Sequence, residues 1–341
     1  MPSPTISSTI EWATLLSSTF NKGRSQLVDN AMAHIPTWGE IARAENVEVR
    51  GGTEIQEPIL SDLQTTGGFV TGAGTFDTTF EQIATMSRWV YKELVQPVPL
   101  QLGELLRNQG SGQAIPILDA RVEAAERRMW TRLGSNTTGV LGNTGDATTG
   151  LSGLQAIVST SPSGNTVGGI AGSSTRLHDG VAYWQNVVGD AITAWNTNGI
   201  ENIRDAVLQT ERMNDSVKLH ITTRTALLRL MNRLTATNQF NQPFPTAGPM
   251  ATGRLVSTGV SNIDFMGSPV FQDSQAPANE WRGINTTYLK LIFHEGGMFQ
   301  PRPFIPAQDN LTIVGAIYAM LELVTNYRAA HFVVSGANSA A

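Results

Sequence analysis

The sequence predicts an α+β fold. Helical and strand patterns are mixed along the 341 residues, without the regular alternation that builds parallel sheets. The clearest helix and the clearest pair of strands both lie in the first half of the chain, while most predicted strands lie in the last third. With 40% hydrophobic residues, the chain has enough apolar side chains for roughly two domains of ordinary size.

The N-terminal region, 1–46, is predicted to form an arm that is extended or partly helical. Its apolar residues are spaced too unevenly for one amphipathic helix. Pro36 and a turn at Trp38-Gly39 interrupt the pattern further, because proline and glycine disfavour a continuous helix. We therefore expect no long helix before residue 47.

Residues 47–100 are predicted to form one long two-stranded arm. β-Branched and aromatic residues on both limbs flank a tip at 65–75 that is rich in glycine and threonine. An isolated hairpin is marginally stable in water, and the tip has only Phe69 and Val70 as apolar anchors. We expect the arm to have nothing nearby to fold against. It would then lie on another copy of the protein, with Phe69, Val70 and Trp89 among the contacts.

The clearest helix is predicted at 115–133. Apolar residues recur there at intervals of three and four, Pro116 occupies the first turn, and Gly134 follows the last apolar position. Charges are sorted on its flanks, with arginines on one side of the apolar stripe and acidic residues on the other. This split fits either a solvated helix or pairing between neighbouring subunits. The residues expected at the intersubunit contact are Arg121, Arg128, Arg132 and Trp130.

The remainder of the chain is predicted to consist of short elements. Residues 134–180 are rich in Gly, Ser, Thr and Asn around an apolar segment at 151–158. The expected helices are 181–195, 201–213 and 223–234. The expected strands are 217–222, 263–266, 269–272, 287–294 and a long one at 311–334.

The composition restricts the classes of function. Charged residues make up only 15% of the chain, below the roughly 25% of an average soluble domain. This depletion indicates that much of the surface is buried between subunits. The net charge of −5 argues against binding of nucleic acid through a basic surface. The absence of cysteine excludes disulfides, thiolate nucleophiles and thiolate metal ligands.

The sequence pattern indicates neither a secretion signal nor a membrane-spanning segment. The first residues lack the basic and apolar regions of a signal peptide. The longest apolar run, 313–321, is shorter than the ~20 residues that span a bilayer. We expect a protein that stays in a cytoplasm-like compartment or leaves it only inside an assembly.

No combination of residues points to catalysis. The five histidines are far apart, without the i+3 or i+4 partner that a zinc site would require. Ser152 lies in a segment close to G-x-S-x-G, but Leu154 replaces the second glycine. We expect no catalytic residue, no cofactor and no metal. A serine hydrolase that uses Ser152, with His178 or His220 as the base, is a remote alternative.

Several short segments, each weak alone, occur in a recognisable order. The most specific is the apolar segment 153–158 with the sequence that follows it to residue 170. In their order and spacing, the segments resemble the major capsid proteins of tailed bacteriophages, the family with the HK97-type shell fold. The resembling segments are 29–30, 35–38, 51–55, 103–110, 153–170, 265–273, 284–291 and 321–328.

The resemblance implies a structural protein that self-assembles as hexamers and pentamers into an icosahedral or prolate shell. The shell would enclose double-stranded DNA without sequence-specific binding and without a membrane, as part of a virion assembled in the host cytoplasm. The implied partners are further copies of the chain, a portal protein, a separate scaffolding protein and a decoration protein. The implied regions are an N-terminal arm (1–46), an extended loop (47–100), a peripheral domain with a long spine helix (101–149), an axial domain (150–305), and a closing peripheral strand with the C-terminus (306–341).

Two features of this sequence qualify the resemblance. The region before the extended loop is too short for a long fused scaffolding segment, which favours either a separate scaffolding protein or none. Lys92 is the only lysine on the arm and lies near its base, so we expect no covalent cross-link of the kind some members form. The nearest alternative is the shell of an encapsulin nanocompartment, which has the same fold and encloses a cargo enzyme. The uneven pattern of residues 1–46 does not support the cargo-binding helix of that class.

Overall fold

The computed structural model describes residues 36–41, 46–62, 69, 72, 74, 82–101, 103–104, 117–143, 149–177, 179–211, 215–236, 263–306 and 312–339. The predicted N-terminal arm before residue 36, most of the tip at 65–75 and the loop at 237–262 lie outside these residues. The described part is α+β, as expected. It divides into two compact units, the larger within 33–94, 131–298 and 319–341 and the smaller within 95–130 and 299–318.

The described helices are α1 (Pro36–Ile41), α2 (Ile117–Leu133), α3 (Leu154–Ile157), α4 (Ile200–Thr210) and α5 (Arg224–Ala236). The described strands are β1 (Val47–Arg50), β2 (Ile55–Leu60), β3 (Ala84–Trp89), β4 (Lys92–Gln101), β5 (Thr166–Val167), β6 (Ile170–Ala171), β7 (Val187–Gly189), β8 (Leu219–Thr222), β9 (Asp264–Phe265), β10 (Ser268–Gln272), β11 (Glu280–Ile284), β12 (Leu289–His294), β13 (Gln300–Pro306), β14 (Thr312–Thr325) and β15 (Phe332–Ser335).

A six-stranded mixed sheet in the order β7-β15-β11-β8-β10-β9 forms the main core of the larger unit. Strand β15 runs parallel to β7 and antiparallel to β11, and β8 runs parallel to β10. All four residues of β8 are buried, as an interior strand requires. Helices α4 and α5 pack on this sheet through apolar residues at helical spacing, and Trp195, Trp281 and Phe332 fill the space beneath them.

A second sheet of the larger unit is built around β12. Strand β1 pairs with it in parallel, with Val47 opposite Leu291. The C-terminal half of β14 pairs on its other edge in antiparallel orientation. The short helix α1 is anchored in the same unit, because the Thr37 N–H donates to a carboxylate oxygen of Asp273 at 3.3 Å. In the smaller unit, β13 pairs with the N-terminal half of β14, and β4 also pairs with β14.

Three secondary-structure predictions are wrong. Residues 181–195 are not a helix, because they contain β7, where Gly189 packs so closely that a Cβ there would lie 2.8 Å from a methyl of Val334. The strand expected at 311–334 is two strands, β14 and β15, separated by a 3₁₀ turn at Arg328–Ala330. Strands β11 and β13 were not predicted from the sequence pattern. The helices expected at 115–133, 201–213 and 223–234 correspond to α2, α4 and α5.

Candidate assembly surfaces

The base of the predicted arm is a two-stranded hairpin. Strands β2 and β3 pair in antiparallel register from Ile55 opposite Trp89 to Leu60 opposite Ala84. Burial alternates along β2, as expected for a hairpin with one face on the protein and one in solvent. Residues 47–49, expected at the start of the arm, belong instead to β1 in a different sheet. The first strand of the hairpin therefore begins later in the chain, at Ile55, than the sequence predicts.

The inner face of the hairpin packs on its own chain at Trp89. This side chain is 1% exposed, and its Nε1 donates to Ser87 Oγ at 3.0 Å. Its ring lies against Gly168, where a Cβ would come within 2.7 Å of the indole, and the Arg88 N–H donates to the Gly168 carbonyl at 2.8 Å. The base of the arm thus folds against a distant part of its own chain, which the expectation of nothing nearby to fold against did not include. Trp89 has almost no surface left for another subunit.

The outer face and the tip of the arm expose apolar side chains. Leu60 is 62% exposed and Met86 is 55% exposed, and Pro58 lies opposite Met86 on the same face. Phe69 is fully exposed at the tip, and Val70 lies outside the described residues. Apolar side chains of this size that face solvent together mark an interaction surface.

An ion cluster fixes the base of the arm to β12. The Arg50 guanidinium pairs with Glu48 and with the buried carboxylate of Glu57 on β2, and Lys290 on β12 pairs with Glu48 at 2.7 Å. The hydrogen bond from Lys290 holds the pKa of the Glu48 carboxyl below its ordinary value. The Tyr91 hydroxyl donates to the Arg50 carbonyl at 3.0 Å. Charges thus join the strand that precedes the hairpin, the hairpin itself and the sheet.

The predicted contact residues on α2 have three different environments. Arg121 donates two hydrogen bonds to the carboxylate of Glu104, at 2.6 and 2.7 Å, so this arginine has a partner in its own chain. Trp130 is 45% exposed and packs against Phe299, with ring centroids 5.3 Å apart. Arg128 and Arg132 are exposed, and neither forms an ion pair with a described residue. These two arginines are the part of the predicted flank that is available to a partner.

Sequence reasoning missed two buried arginines that fix the segment 153–158. Arg328, fully buried in the turn before β15, donates to the carbonyls of Ile157 and Trp184, each at 2.9 Å, and to Asn186 Oδ1 at 3.4 Å. Its guanidinium also lies over the Trp184 ring, 5.9 Å from the centroid. An arginine between apolar strands is ordinarily expected at the surface, which is why the pattern gave no signal.

The second buried arginine and a buried glutamate complete this arrangement. Arg282 on β11 donates to the carbonyl of Leu154 at 2.9 Å and to that of Val158, and it pairs with Glu280. Glu322 on β14, 1% exposed, accepts from the backbone N–H of Ser152 at 2.8 Å. The most specific segment of the sequence resemblance is thus fixed just before its start by a carboxylate and along its length by two guanidinium groups.

The residues of the remote hydrolase alternative are used for packing. Ser152 is 1% exposed, and His220 is buried among Phe265, Trp281 and Phe332, where its Nδ1 accepts from Trp281 Nε1 at 3.3 Å. Burial lowers the pKa of His220 to about 4. His178 lies outside the described residues.

Other chemical features give no candidate site in the described part of the chain. No group of three or more potential metal ligands occurs there. No helix in that part is long and apolar enough to cross a bilayer. Lys92, the only lysine of the arm, is buried on β4.

No protein-family model matches the sequence, and no curated protein sequence matches it. Solved structures do match. The chain is similar to a chain of the cyanophage A-1(L) capsid asymmetric unit, with 15% identity, a TM-score of 0.63, and 94% of this chain and 97% of that chain covered. It is also similar to the capsid of a native GTA particle, with 11% identity, a TM-score of 0.60, and 94% and 95% covered.

A third match is the holo-SrpI encapsulin complex from Synechococcus elongatus PCC 7942, with 10% identity, a TM-score of 0.54, and 94% of each chain covered. These matches span nearly the whole length of both partners in each comparison. The chain therefore has the fold that these solved structures share. This is the HK97-type fold that the sequence resemblance indicated.

Proposed function

We propose that this chain is the major capsid protein of a tailed bacteriophage, a structural and non-enzymatic protein that assembles into the shell around double-stranded DNA. The observation that carries the proposal is the similarity to the cyanophage A-1(L) capsid chain over 94% of this chain and 97% of that one. The low charged fraction of 15% agrees with a protein that buries much of its surface in an assembly.

The surfaces described above fit this role. The hairpin arm is anchored at its base and exposes Phe69 at its tip, so the tip is available to a neighbouring copy. Exposed Arg128 and Arg132, with half-exposed Trp130, form a second contact on the spine helix α2. Arg121 contributes less, because Glu104 already pairs with it.

The proposed organisation follows the regions expected from the sequence. An N-terminal arm (1–46), an extended loop (47–100), a peripheral domain (101–149 and 306–341) and an axial domain (150–305) make up the subunit. Hexamers and pentamers of the chain form the shell in the host cytoplasm. The proposed partners are a portal protein, a separate scaffolding protein and a decoration protein.

Electron microscopy of the purified protein, expressed alone and with the scaffolding gene of the same genome, tests the proposal. We expect uniform closed shells in at least one of the two preparations. A dispersed monomer in both, at micromolar concentration, would contradict the proposal. A variant with residues 66–75 deleted from the tip should give a folded subunit that forms no shells. Shells from that variant would show that the arm is not an intersubunit clasp.

The encapsulin alternative is supported by the similarity to the holo-SrpI complex at a TM-score of 0.54. The two functions predict different contents. A phage shell assembled in infected cells contains DNA that resists nuclease until the shell is opened. An encapsulin contains a co-purifying protein and no such DNA, and mass spectrometry of the shell contents distinguishes the two.

A further inference from the structure

Two helices of the larger unit pack on opposite ends of one sheet. Helix α4 packs on β7 and β15, at the end of the six-stranded sheet that begins with β7. Helix α5 packs on β10, next to the strand at the other end, and on the turn at 195–199 that leads into α4. Both bury apolar residues in the same core, so each has its opposite face in solvent.

The exposed face of α4 is mainly acidic around one apolar residue. Glu201 and Asp205 are exposed, and Glu211 follows at the end of the helix. Arg204 is the single basic residue on this face. Leu208 lies among them and is 52% exposed.

The exposed face of α5 has the opposite sign around an equivalent apolar residue. The helix has three arginines and no acidic residue. Arg224 is exposed, and Arg229 and Arg233 are half-buried. Leu228 is 46% exposed between them.

We propose that α4 of one copy binds α5 of the next copy, with Leu208 against Leu228 inside a rim of opposite charges. This inference rests on the proposed function, since it needs a ring of copies. A leucine that loses its water inside a charged rim is the usual arrangement of a small specific contact. Complementary charges on the rim set the register and exclude wrong pairings.

Within a ring of copies, a contact between α4 of one copy and α5 of the next is heterologous. Different surfaces of each copy meet, at opposite ends of the same sheet, so that every copy gives one α4 and one α5 to its neighbours. Heterologous contacts build closed rings when the rotation between copies closes. The partner that this surface fits is therefore a second copy of the chain within a capsomer ring.

Two charge variants test the contact. The first carries Glu201→Lys and Asp205→Lys, which makes α4 basic. The second carries Arg224→Glu with Thr225→Glu and Asn232→Glu, which makes α5 acidic. All five substituted side chains are exposed, so the fold should persist.

Each variant alone places like charges across every contact. We expect its yield of rings, measured by native mass spectrometry, to be lower than that of wild type by at least roughly tenfold. Mixing the two variants should restore rings, because alternate copies then present opposite charges. A strict alternation closes only for an even number of copies, so hexamers should return and pentamers should not. Wild-type yields from either variant alone, or no recovery on mixing of variants whose circular dichroism and melting temperature match wild type, would overturn the inference.

Disulfide trapping gives an independent readout, because the natural chain has no cysteine. We expect Leu208→Cys/Leu228→Cys to form a ladder of linked chains on oxidation, while Leu208→Cys alone and Leu228→Cys alone stay unlinked. The absence of a ladder from the double variant, in a protein that still forms rings, would overturn the α4–α5 contact and leave the proposed function standing. The absence of rings from wild-type protein would count against both.

Discussion

Replacing Arg328 by methionine should reveal how much the buried guanidinium contributes to the fold. Methionine fills a similar volume but donates no hydrogen bond. The carbonyls of Ile157 and Trp184 would each lose a donor at 2.9 Å. Asn186 Oδ1 would still accept from the Ser159 N–H at 2.9 Å.

The structure gives a magnitude for this loss. A buried acceptor left without a donor costs about 1–3 kcal/mol, so two carbonyls cost about 2–6 kcal/mol. Relief from burying a charge offsets part of this cost. We expect the free energy of unfolding of the dispersed subunit to fall by about 2–4 kcal/mol. The free energy of unfolding of Arg328→Lys should lie between those of Arg328→Met and wild type, because a lysine at this site keeps the charge but lacks the forked donors.

Urea unfolding followed by tryptophan fluorescence is the appropriate assay, since the Trp184 ring lies beneath Arg328. Arg127→Met is the matched control. Arg127 forms an exposed pair with Glu123 one helical turn away, and such pairs contribute about 0.3–0.5 kcal/mol. A loss below about 1 kcal/mol for Arg328→Met, or one equal to that of the control, would refute the reasoning.

Three further predictions concern other parts of the subunit. Burial, and secondly the charge of Arg328, lower the pKa of His331 to about 3. The neutral imidazole should therefore contribute its full stabilisation above pH 6.5, and the free energy of unfolding should fall by about 1.4 kcal/mol per pH unit below pH 6.5. His331→Gln should flatten that part of the stability profile. Gly168→Ala should cost about 1–3 kcal/mol in urea unfolding, because φ is +59° there and a Cβ would strike a buried indole. Arg128→Glu with Arg132→Glu should reduce the yield of shells while changing subunit stability by less than about 1 kcal/mol.

Each of these predictions has a direct control. For His331, the slope of the free energy of unfolding between pH 6 and 5 should differ between wild type and variant, and equal slopes would contradict the pKa. Gly164→Ala, where a Cβ has open space, should cost less than about 0.5 kcal/mol; equal costs at the two glycines would rule out the steric argument. Normal shells from the double variant of Arg128 and Arg132 would show that this flank is only solvated.

The elements with strong local periodicity could be predicted from the sequence. Helix α2 ends at Leu133, as the apolar spacing and the following Gly134 indicate. The hairpin was expected because β-branched residues flank a glycine-rich tip. Its docking through Trp89 was not expected, since it depends on Gly168, which lies 79 positions later in the chain. No local pattern reports a contact of that kind.

The wrong predictions share a physical cause. Strand β11 contains Gly283, which strand propensity disfavours, and Arg282, a residue type that is ordinarily exposed. Tertiary packing reverses that preference. A Cβ at position 283 would overlap Phe332, and the arginine donates hydrogen bonds to carbonyl groups of the segment 153–158. In the same way, Arg328 interrupts the long strand expected at 311–334 by turning inward.

The position of β15 in its sheet has a consequence for synthesis of the protein. This strand lies inside the sheet between β7 and β11, yet all its sheet partners precede it in the chain. A nascent chain stopped before residue 332 would leave two strand edges open and Trp281 without the strand beside it. Such a chain could not complete its core, and open edges bind other chains unspecifically. A subunit able to fold is therefore complete only after β15 has emerged, so a truncated copy would lack the folded subunit that the proposed shell requires.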